Sequence, residues 1–286
     1  MSGNGQAEAQ MQERWTPSGV RLRQITAGPG RWNWLFVPGG PGLGSESLAG
    51  LVETADVPGT VWLVDLPGDG SNRALPTVPH DPYAGWPDVI AEAARAVDDP
   101  VMVGHSTGGM FMLSAPELEG LLTGMVLVSS APHAAWRAMF GNWAEQHPLP
   151  QVDAAADQHA RNPDDQTLRA LTIAAAPWSF TEAELPAGRR LLADLRYCHE
   201  AVAWADANFD ETFESRWSPR ALPTLILSGG EDRVVDQTLW DAEPAFDRPT
   251  VLRRRIPGAG HFPWLGDPGA VRSAFADLVD LLDGQR

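Results

Sequence analysis

The sequence contains no lysine, because all 21 of its basic residues are arginine. Lysine forms the Schiff bases of covalent amine catalysis and of pyridoxal phosphate attachment, and it binds phosphate in the P-loop. Its absence therefore excludes these enzyme classes. Cysteine is nearly absent too, since Cys198 is the only one. No intrachain disulfide can form, and the cysteine content does not indicate an oxidising compartment.

Long apolar runs are also missing. No stretch approaches the roughly 18 consecutive apolar residues that a membrane-spanning helix requires. Residues 1–14 are polar and lack the basic-then-apolar order of a secretory signal. We therefore expect a cytoplasmic protein that has no membrane partner and whose residues 1–14 form a disordered tail.

Positive charge is scarce, because 37 acidic residues outnumber the arginines and give a net charge of -16. Nucleic-acid binding requires clustered cations, and the one basic cluster, Arg253-Arg254-Arg255, is short and lies within a predicted strand. We therefore expect no nucleic-acid partner. The seven histidines show no metal-ligand spacing on one helix or turn, so we expect neither a metal nor a cofactor. The sequence does not indicate an oligomeric state.

The sequence does contain apolar strand segments that alternate with helical ones. The predicted strands cover residues 20–25, 32–37, 60–65, 100–103, 125–128, 224–228 and 250–256. This alternation predicts an α/β fold, in which a mostly parallel sheet is flanked by helices on both faces. Between 133 and 220 the strands disappear, and alanine-rich helical pieces broken by prolines replace them. We predict a core of residues 15–132 and 221–286 with an inserted helical cap, residues 133–220.

One pentapeptide, Gly104-His105-Ser106-Thr107-Gly108, follows a buried strand and precedes a helix. G-x-S-x-G in this context is typical of a nucleophile elbow, a tight turn that lifts the serine hydroxyl above the carboxyl edge of the sheet. The turn is so crowded that it requires glycine two positions before and after the serine. It also aims the N–H of Thr107 at an oxyanion formed there. We therefore predict that Ser106 is a nucleophile.

A serine nucleophile needs a general base, and the base needs an orienting acid. Asp232 lies in the turn after the strand that ends at 228, and His261 lies in a glycine-flanked loop after the next strand. The carboxyl ends of parallel strands share one edge, and the chain order Ser, Asp, His fits this architecture. We predict a triad of Ser106, Asp232 and His261. The Gly39-Gly40-Pro41-Gly42 loop follows an earlier strand, so we assign the second oxyanion donor to the N–H of Gly40.

Taken together, these motifs make the chain resemble an α/β-hydrolase. Its GGPG loop resembles that of the proline iminopeptidase-like branch, peptidase family S33. The resemblance extends from about residue 18 to the end and includes the turn over residues 65–71, the elbow, the acid turn and the histidine loop. It implies a serine hydrolase of carboxylesterase or aminopeptidase type that cleaves a small ester, amide or thioester through an acyl-enzyme. One departure is Pro38, which stands where the family usually has a histidine that braces the loop.

The predicted cap supplies the candidate substrate-binding residues. These are Trp136, Trp178, Trp204 and His133. An aminopeptidase would also need carboxylates to hold the α-ammonium of its substrate. The cap offers several, none of them in a motif, and we interpret each as a solvated charge on a helix face: Glu182, Glu184, Asp194, Glu200 and Asp206.

Two alternatives remain open. An NAD(P)-binding Rossmann oxidoreductase would explain Gly40-x-Gly42 followed by Asp65 after about 20 residues. However, Ser45 stands where the third glycine belongs, and the triad would have no explanation. A non-catalytic, ligand-binding relative would share the fold but have a broken triad, whereas this one is intact.

Overall fold

The computed structural model describes residues 12–73 and 82–284. Its frame is a single eight-stranded sheet with the strand order β1-β2-β4-β3-β5-β6-β7-β8. The strands are β1 (Glu13–Trp15), β2 (Arg21–Ala27), β3 (Asn33–Val37), β4 (Thr60–Asp65), β5 (Pro100–His105), β6 (Gly124–Val128), β7 (Thr224–Gly229) and β8 (Val251–Ile256). Strands β1 and β2 are antiparallel to their neighbours, and β3 to β8 all run parallel. The predicted α/β fold with a mostly parallel sheet is confirmed.

Strand β3 illustrates why helices cover both faces of the sheet. Successive side chains of a strand point to opposite faces. Leu35 and Val37 pack into one hydrophobic cluster, and Trp34 and Phe36 pack into another on the opposite face. All four side chains are fully buried. Four consecutive apolar residues, rather than an apolar residue at every second position, are typical of a strand covered on both sides.

The helices in chain order are α1 (Ala49–Ala55), α2 (Trp86–Arg95), α3 (Thr107–Leu113), α4 (Leu118–Leu121), α5 (Ala135–Gln146), α6 (Pro150–Arg161), α7 (Asp165–Ala174), α8 (Ala176–Ser179), α9 (Leu185–Asp194), α10 (His199–Asn208), α11 (Pro263–Gly266) and α12 (Pro268–Gly284). Helices α2, α3 and α4 contribute to the cluster that contains Leu35. Helices α1, α11 and α12 contribute to the cluster that contains Trp34. No helix within the described ranges is long and apolar enough to cross a membrane.

Six helices, α5 to α10, lie between β6 and β7. We call residues 133–220, all of which the structure describes, the helical insertion; they contribute no strand to the sheet. Its helical prolines stand in the first turn and not in the interior: Pro150 is the first residue of α6, and Pro186 is the second residue of α9. Proline is tolerated there because the first-turn N–H groups have no intrahelical partner.

The N-terminal prediction needs a partial correction. The predicted tail, residues 1–14, falls mostly outside the described residues, but Glu13 and Arg14 belong to β1. All three residues of β1 are exposed, so no alternation of apolar and polar residues marks it in the sequence. The strand forms because its backbone pairs with β2, with Arg14 opposite Leu22.

The order of the parallel strands changes direction at β3, which lies between β4 and β5. Loops that leave the carboxyl ends on either side of such a point open a crevice, and open α/β sheets bind their ligands there. The loop after β3 contains Gly39 and Gly40, and the turn after β5 contains Ser106. The predicted nucleophile and oxyanion loop therefore meet at this crevice.

Candidate active site

Ser106 lies between the end of β5 and the first residue of α3. Its backbone angles, φ 51° and ψ -124°, lie in a region that non-glycine residues rarely adopt. The neighbouring glycines are required by crowding. A Cβ at Gly104 would lie 2.5 Å from the sulfur of Met112, and one at Gly108 would overlap the carbonyl oxygen of Pro38. Such strain persists only where the surroundings enforce it, and it often marks a functional site.

Asp232 and His261 lie in the loops that follow β7 and β8. The His261 ring donates from Nδ1 to the Asp232 carboxylate, at 3.0 Å from Oδ2 and 3.1 Å from Oδ1. Both residues are buried. Asp232 Oδ1 also accepts the N–H groups of Val234 and Val235, each at 3.0 Å. These donors fix the carboxylate, so the imidazole it holds has a defined orientation.

Ser106 and His261 line one cavity of about 220 Å³. Its other walls are Gly40, Pro41, Leu43, His105, Thr107, Trp136, Leu168, Thr172, Ser179, Leu192, Tyr197, Val202, Val234 and Phe262. None of these lining residues carries a carboxylate or a guanidinium. Among the described residues, Ser106 Oγ forms no hydrogen bond with the His261 ring. Ser106 and His261 therefore share one crevice, and Asp232, which does not line it, contacts His261 from behind the cavity wall.

The two predicted oxyanion donors, Gly40 and Thr107, lie side by side in the cavity wall. Thr107 Oγ1 donates to the carbonyl oxygen of Gly40 at 3.2 Å, which links the elbow to the loop. Neither backbone N–H donates to another residue of the described chain. Gly40 has φ 125°, which favours glycine. Both residues therefore line the cavity with a backbone N–H that has no acceptor in the described chain, as an oxyanion donor requires.

Pro38 replaces the histidine that usually braces this loop, and backbone and carboxylate contacts hold the loop instead. The carbonyl oxygen of Gly42 accepts the N–H of Cys198 at 3.0 Å, and Gly44 N donates to Arg196 O at 3.2 Å. Gly42 N also donates to Asp69 Oδ2 at 3.4 Å. Cys198 and Arg196 belong to the helical insertion. The insertion and the turn after β4 therefore brace the loop.

Asp69 is buried and has no ion pair within the described part of the chain. Burial raises the pKa of its carboxyl to about 7, although the N–H groups of Gly70 and Gly42 act in the opposite direction. Gly70 N donates to Oδ1 at 2.8 Å. Near neutral pH this carboxyl is therefore partly protonated, which is unusual for an aspartate.

His105, next to the nucleophile, packs beneath the elbow. Burial, followed by the neighbouring ring of His261, lowers the pKa of His105 to about 3. Its Nε2–H donates to the carbonyl oxygen of His261 at 3.0 Å, and its ring contacts Phe262 and Trp264. His105 therefore remains neutral and supports the histidine loop rather than acting as a second base.

Of the four residues proposed to bind substrate, Trp136 lines the cavity. The other three have partners elsewhere. Trp178 donates to the carbonyl oxygen of His147, and the Trp204 ring packs against Phe209. His133 Nε2 lies 3.4 Å from Glu243 Oε1. The sequence identified aromatic residues in the insertion, but only tertiary packing decides which of them face Ser106.

Glu184 was predicted to be a solvated charge, and that prediction is wrong. Its side chain is buried, and its Oε2 accepts the N–H of Thr181 at 2.8 Å. The carboxylate also accepts the N–H of Gly260, at 3.0 Å from Oε1 and 3.1 Å from Oε2. A signal was present in the sequence, because Thr181-x-x-Glu184 has the spacing of a capping box. The other carboxylates considered with it are exposed: Glu182, Asp194, Glu200 and Asp206.

Cys198 is fully buried, and its Sγ donates to the carbonyl oxygen of Gly68 at 3.3 Å. Burial raises the pKa of its thiol to about 11, so the thiol stays protonated at neutral pH. A protonated thiol is a weak nucleophile and a poor metal ligand. Over residues 12–73 and 82–284, no group of three or more His, Cys, Asp and Glu side chains could hold a metal ion.

The Rossmann alternative assigns Asp65 to a ribose hydroxyl, but other groups occupy this side chain. Arg21 Nε and Arg23 Nε donate to Asp65 Oδ2 at 2.8 and 2.7 Å, and the Ser45 hydroxyl donates to Oδ1. The strand order also differs. Counted among the parallel strands alone, this sheet reads 2-1-3-4-5-6, whereas the dinucleotide-binding order is 3-2-1-4-5-6. Both observations argue against a dinucleotide site.

The comparisons with known proteins agree with this fold. The sequence model of the Alpha/beta hydrolase family matches residues 28–274. The pimeloyl-[acyl-carrier protein] methyl ester esterase of Xanthomonas axonopodis pv. citri is 28% identical over 234 residues, which cover 81% of this chain and 89% of the relative.

Solved structures from both predicted branches have similar folds. Proline iminopeptidase of Mycobacterium smegmatis has a TM-score of 0.67 at 20% identity, covering 96% of this chain and 100% of that one. A thermophilic esterase of Thermogutta terrifontis also has a TM-score of 0.67, at 21% identity, and the match covers 96% of this chain and 99% of the esterase chain. At this identity the likeness concerns the fold. The predicted resemblance is thereby confirmed, and it does not separate the two activities.

Proposed function

Because the chain belongs to the Alpha/beta hydrolase family and is a hydrolytic enzyme, we propose that it cleaves a small carboxylic ester through Ser106, His261 and Asp232. The observation that carries this proposal is the buried hydrogen bond between His261 Nδ1 and Asp232, made by the same imidazole that lines one cavity with Ser106. An imidazole held by a carboxylate, next to a serine on a strained turn, is an arrangement suited to acyl transfer.

The proposed reaction begins when Ser106 Oγ attacks the carbonyl carbon of the ester and His261 Nε2 takes its proton. This requires the imidazole and the hydroxyl to come into hydrogen-bond contact as substrate binds. Asp232 keeps the Nδ1 proton in place and stabilises the imidazolium. The N–H groups of Gly40 and Thr107 stabilise the tetrahedral oxyanion. His261 then protonates the departing alcohol, and water releases the acyl group from Ser106 by the same steps in reverse.

The cavity favours a neutral acyl group over an aminoacyl group. An aminopeptidase must hold an α-ammonium, and no lining residue offers a carboxylate. Acidic residues of the insertion are occupied elsewhere: Glu184 accepts N–H groups, and Glu200 and Asp206 pair with Arg73 and Arg137. The name of the Xanthomonas relative, a methyl ester esterase, supports an ester as the substrate of this chain as well.

The substrate is small. Ligand pockets commonly enclose about 300–1,000 Å³, whereas this cavity encloses about 220 Å³. The helical insertion contributes much of its wall, including Trp136, Leu168 and Leu192. We propose that the insertion, residues 133–220, is a cap over a core of residues 15–132 and 221–286, and that it limits the length of the acyl chain.

A panel of chromogenic substrates tests the proposal. It includes nitrophenyl esters of increasing acyl length, a series of methyl esters, and aminoacyl arylamides with free and blocked α-amines. We expect hydrolysis of short esters and no detectable cleavage of arylamides. Cleavage of arylamides that depends on the free α-amine, with esters left intact, would contradict the ester assignment and support the aminopeptidase type.

A further inference from the structure

Glu184 is a buried carboxylate without a cation. Its side chain is 3% exposed, and no arginine or histidine in the described ranges pairs with it. Burying a carboxylate is costly unless strong donors compensate. The donors here are backbone N–H groups, those of Thr181 and Gly260. A buried charge held only by backbone donors indicates that its position matters to the segment it holds.

The fold leaves room for this carboxylate at two glycines. A Cβ on Gly260 would lie 2.8 Å from Glu184 Oε2, and a Cβ on Gly266 would overlap Oε1. Gly260 belongs to the histidine loop, and Gly266 ends the short helix α11 that follows it. Any side chain at either position would displace the carboxylate. The loop and α11 therefore form a cradle around Glu184.

The Glu184 carboxylate binds Gly260, which directly precedes the proposed base His261. Glu184 accepts the N–H of Gly260, and the carbonyl oxygen of Ser179 accepts the N–H of His261 at 2.9 Å. Two successive N–H groups of the histidine loop are thus held by the helical insertion. Ser179 also lines the cavity. The N–H groups of Gly260 and His261 are therefore held by the insertion rather than by the sheet.

We propose that Glu184 is a positioning residue, which holds the histidine loop so that the His261 imidazole can reach both Asp232 and Ser106. This inference rests on the proposed function. In this proposal the helical insertion has two roles: it forms a wall of the cavity, and it orients the base. Proton transfer depends steeply on the placement of the base, so loss of this contact acts on kcat rather than on substrate binding.

The experiment compares Glu184→Ala, Glu184→Asp and Glu184→Gln with a matched control. Asp164→Ala is the control, because Asp164 is on the same insertion and its carboxylate also accepts a backbone N–H, that of Thr167 at 2.7 Å, at the start of α7. For each variant kcat and KM are measured on a short ester. Active enzyme is counted by fluorophosphonate titration, and Tm is recorded.

We expect Glu184→Ala to lower kcat about 10- to 100-fold while KM changes by less than about threefold. Glu184→Asp removes one methylene, so its carboxylate cannot span the same distance, and we expect a similar loss. Glu184→Gln keeps the length and one acceptor and recovers most of kcat. Asp164→Ala lowers Tm and leaves kcat unchanged. If Glu184→Ala does not fold, the Asp and Gln pair gives the same comparison.

The proposal is overturned if the Asp and Gln variants both keep wild-type kcat per active enzyme, whatever their Tm. Ser106→Ala belongs in the same series. If Ser106→Ala still hydrolyses the ester, the proposed function fails before Glu184 is considered. If Ser106→Ala is inactive while Glu184→Asp is fully active, only the positioning role is rejected.

Discussion

The Nδ1 atom of His261 lies 3.0 Å from Asp232 Oδ2, although 29 positions separate the two residues in the chain. They meet because β7 and β8 are parallel neighbours and both loops leave the same edge of the sheet. A carboxylate can only accept, so Nδ1 carries the proton and Nε2 is left as the basic nitrogen. The contact thereby selects the tautomer that a base for Ser106 requires.

Replacing Asp232 by Asn tests this relationship. The amide can turn its NH₂ group toward Nδ1, which favours the tautomer with the proton on Nε2 and removes the base. We expect kcat for ester hydrolysis to fall about 10⁴-fold, measured at saturating substrate. Glu231→Gln is the matched control, because Glu231 is adjacent, exposed and paired with Arg233. Equal losses in the two variants would contradict the assignment of Asp232.

The sequence could predict this constellation because each member is fixed by local pattern. Ser106, Asp232 and His261 each follow an apolar strand and lie in a glycine-containing turn or loop. Once the strands are taken as parallel, their carboxyl ends share an edge. No long-range contact is needed for this prediction, and in the structure Ser106 and His261 line one cavity.

The sequence could not predict contacts made by packing between distant segments. Glu184 and Gly260 are 76 positions apart, and nothing local to Glu184 indicates that a loop after β8 covers it. Likewise, Trp136 and Trp178 have similar helical surroundings in the sequence, yet only Trp136 lines the cavity. Which face of an insertion meets the core depends on how its helices pack.

Thr107 offers a test of the oxyanion loop. Its Oγ1 donates to the carbonyl oxygen of Gly40, so Thr107→Val removes that link while it keeps the shape and both backbone N–H donors. A hydrogen bond contributes about 1 kcal/mol, so we expect kcat to fall about fivefold. Thr107→Ser keeps the hydroxyl and should retain activity. If Val and Ser variants have the same kcat, the hydroxyl does not support the loop.

Trp136 tests the role of the insertion in limiting the acyl chain. Trp136→Ala enlarges the cavity, and each additional buried methylene contributes about 0.8 kcal/mol. We expect kcat/KM to shift toward longer acyl esters by about fourfold per methylene, measured across a series of nitrophenyl esters. Trp178→Ala is the control, because Trp178 packs against Phe140 outside the cavity. A shift of the same size in both variants would reject the lining role of Trp136.

We expect Asp69 to make a pH-dependent contribution to the free energy of unfolding. Burial raises the pKa of its carboxyl from 3.8 to about 7. Between these values the folded protein binds a proton that the unfolded chain does not, so this contribution is full below pH 3.8 and is lost as pH rises through about 7. The contribution of His105 to stability changes with pH in the opposite direction, because burial lowers its pKa from 6.5 to about 3. The wild-type profile contains both effects.

Asp69→Asn isolates the aspartate, since the amide does not titrate. Relative to wild type, its free energy of unfolding should increase with pH by up to about 4 kcal/mol across this window, since one pKa unit corresponds to about 1.4 kcal/mol. Urea denaturation at a series of pH values between 4 and 8 measures the difference. A difference between the two proteins that does not change with pH would show that Asp69 titrates normally.

The central claim is that Ser106 is the nucleophile, and covalent labelling with a fluorophosphonate tests it most directly. Ser129 is a matched control, because it also follows a buried strand and has a positive φ, 47°. We predict that mass spectrometry finds the adduct on the peptide that contains Ser106. Ser129→Ala should be labelled like wild type, whereas Ser106→Ala should be neither labelled nor active. Labelling of Ser106→Ala, or an adduct on another residue of the wild type, would contradict the account.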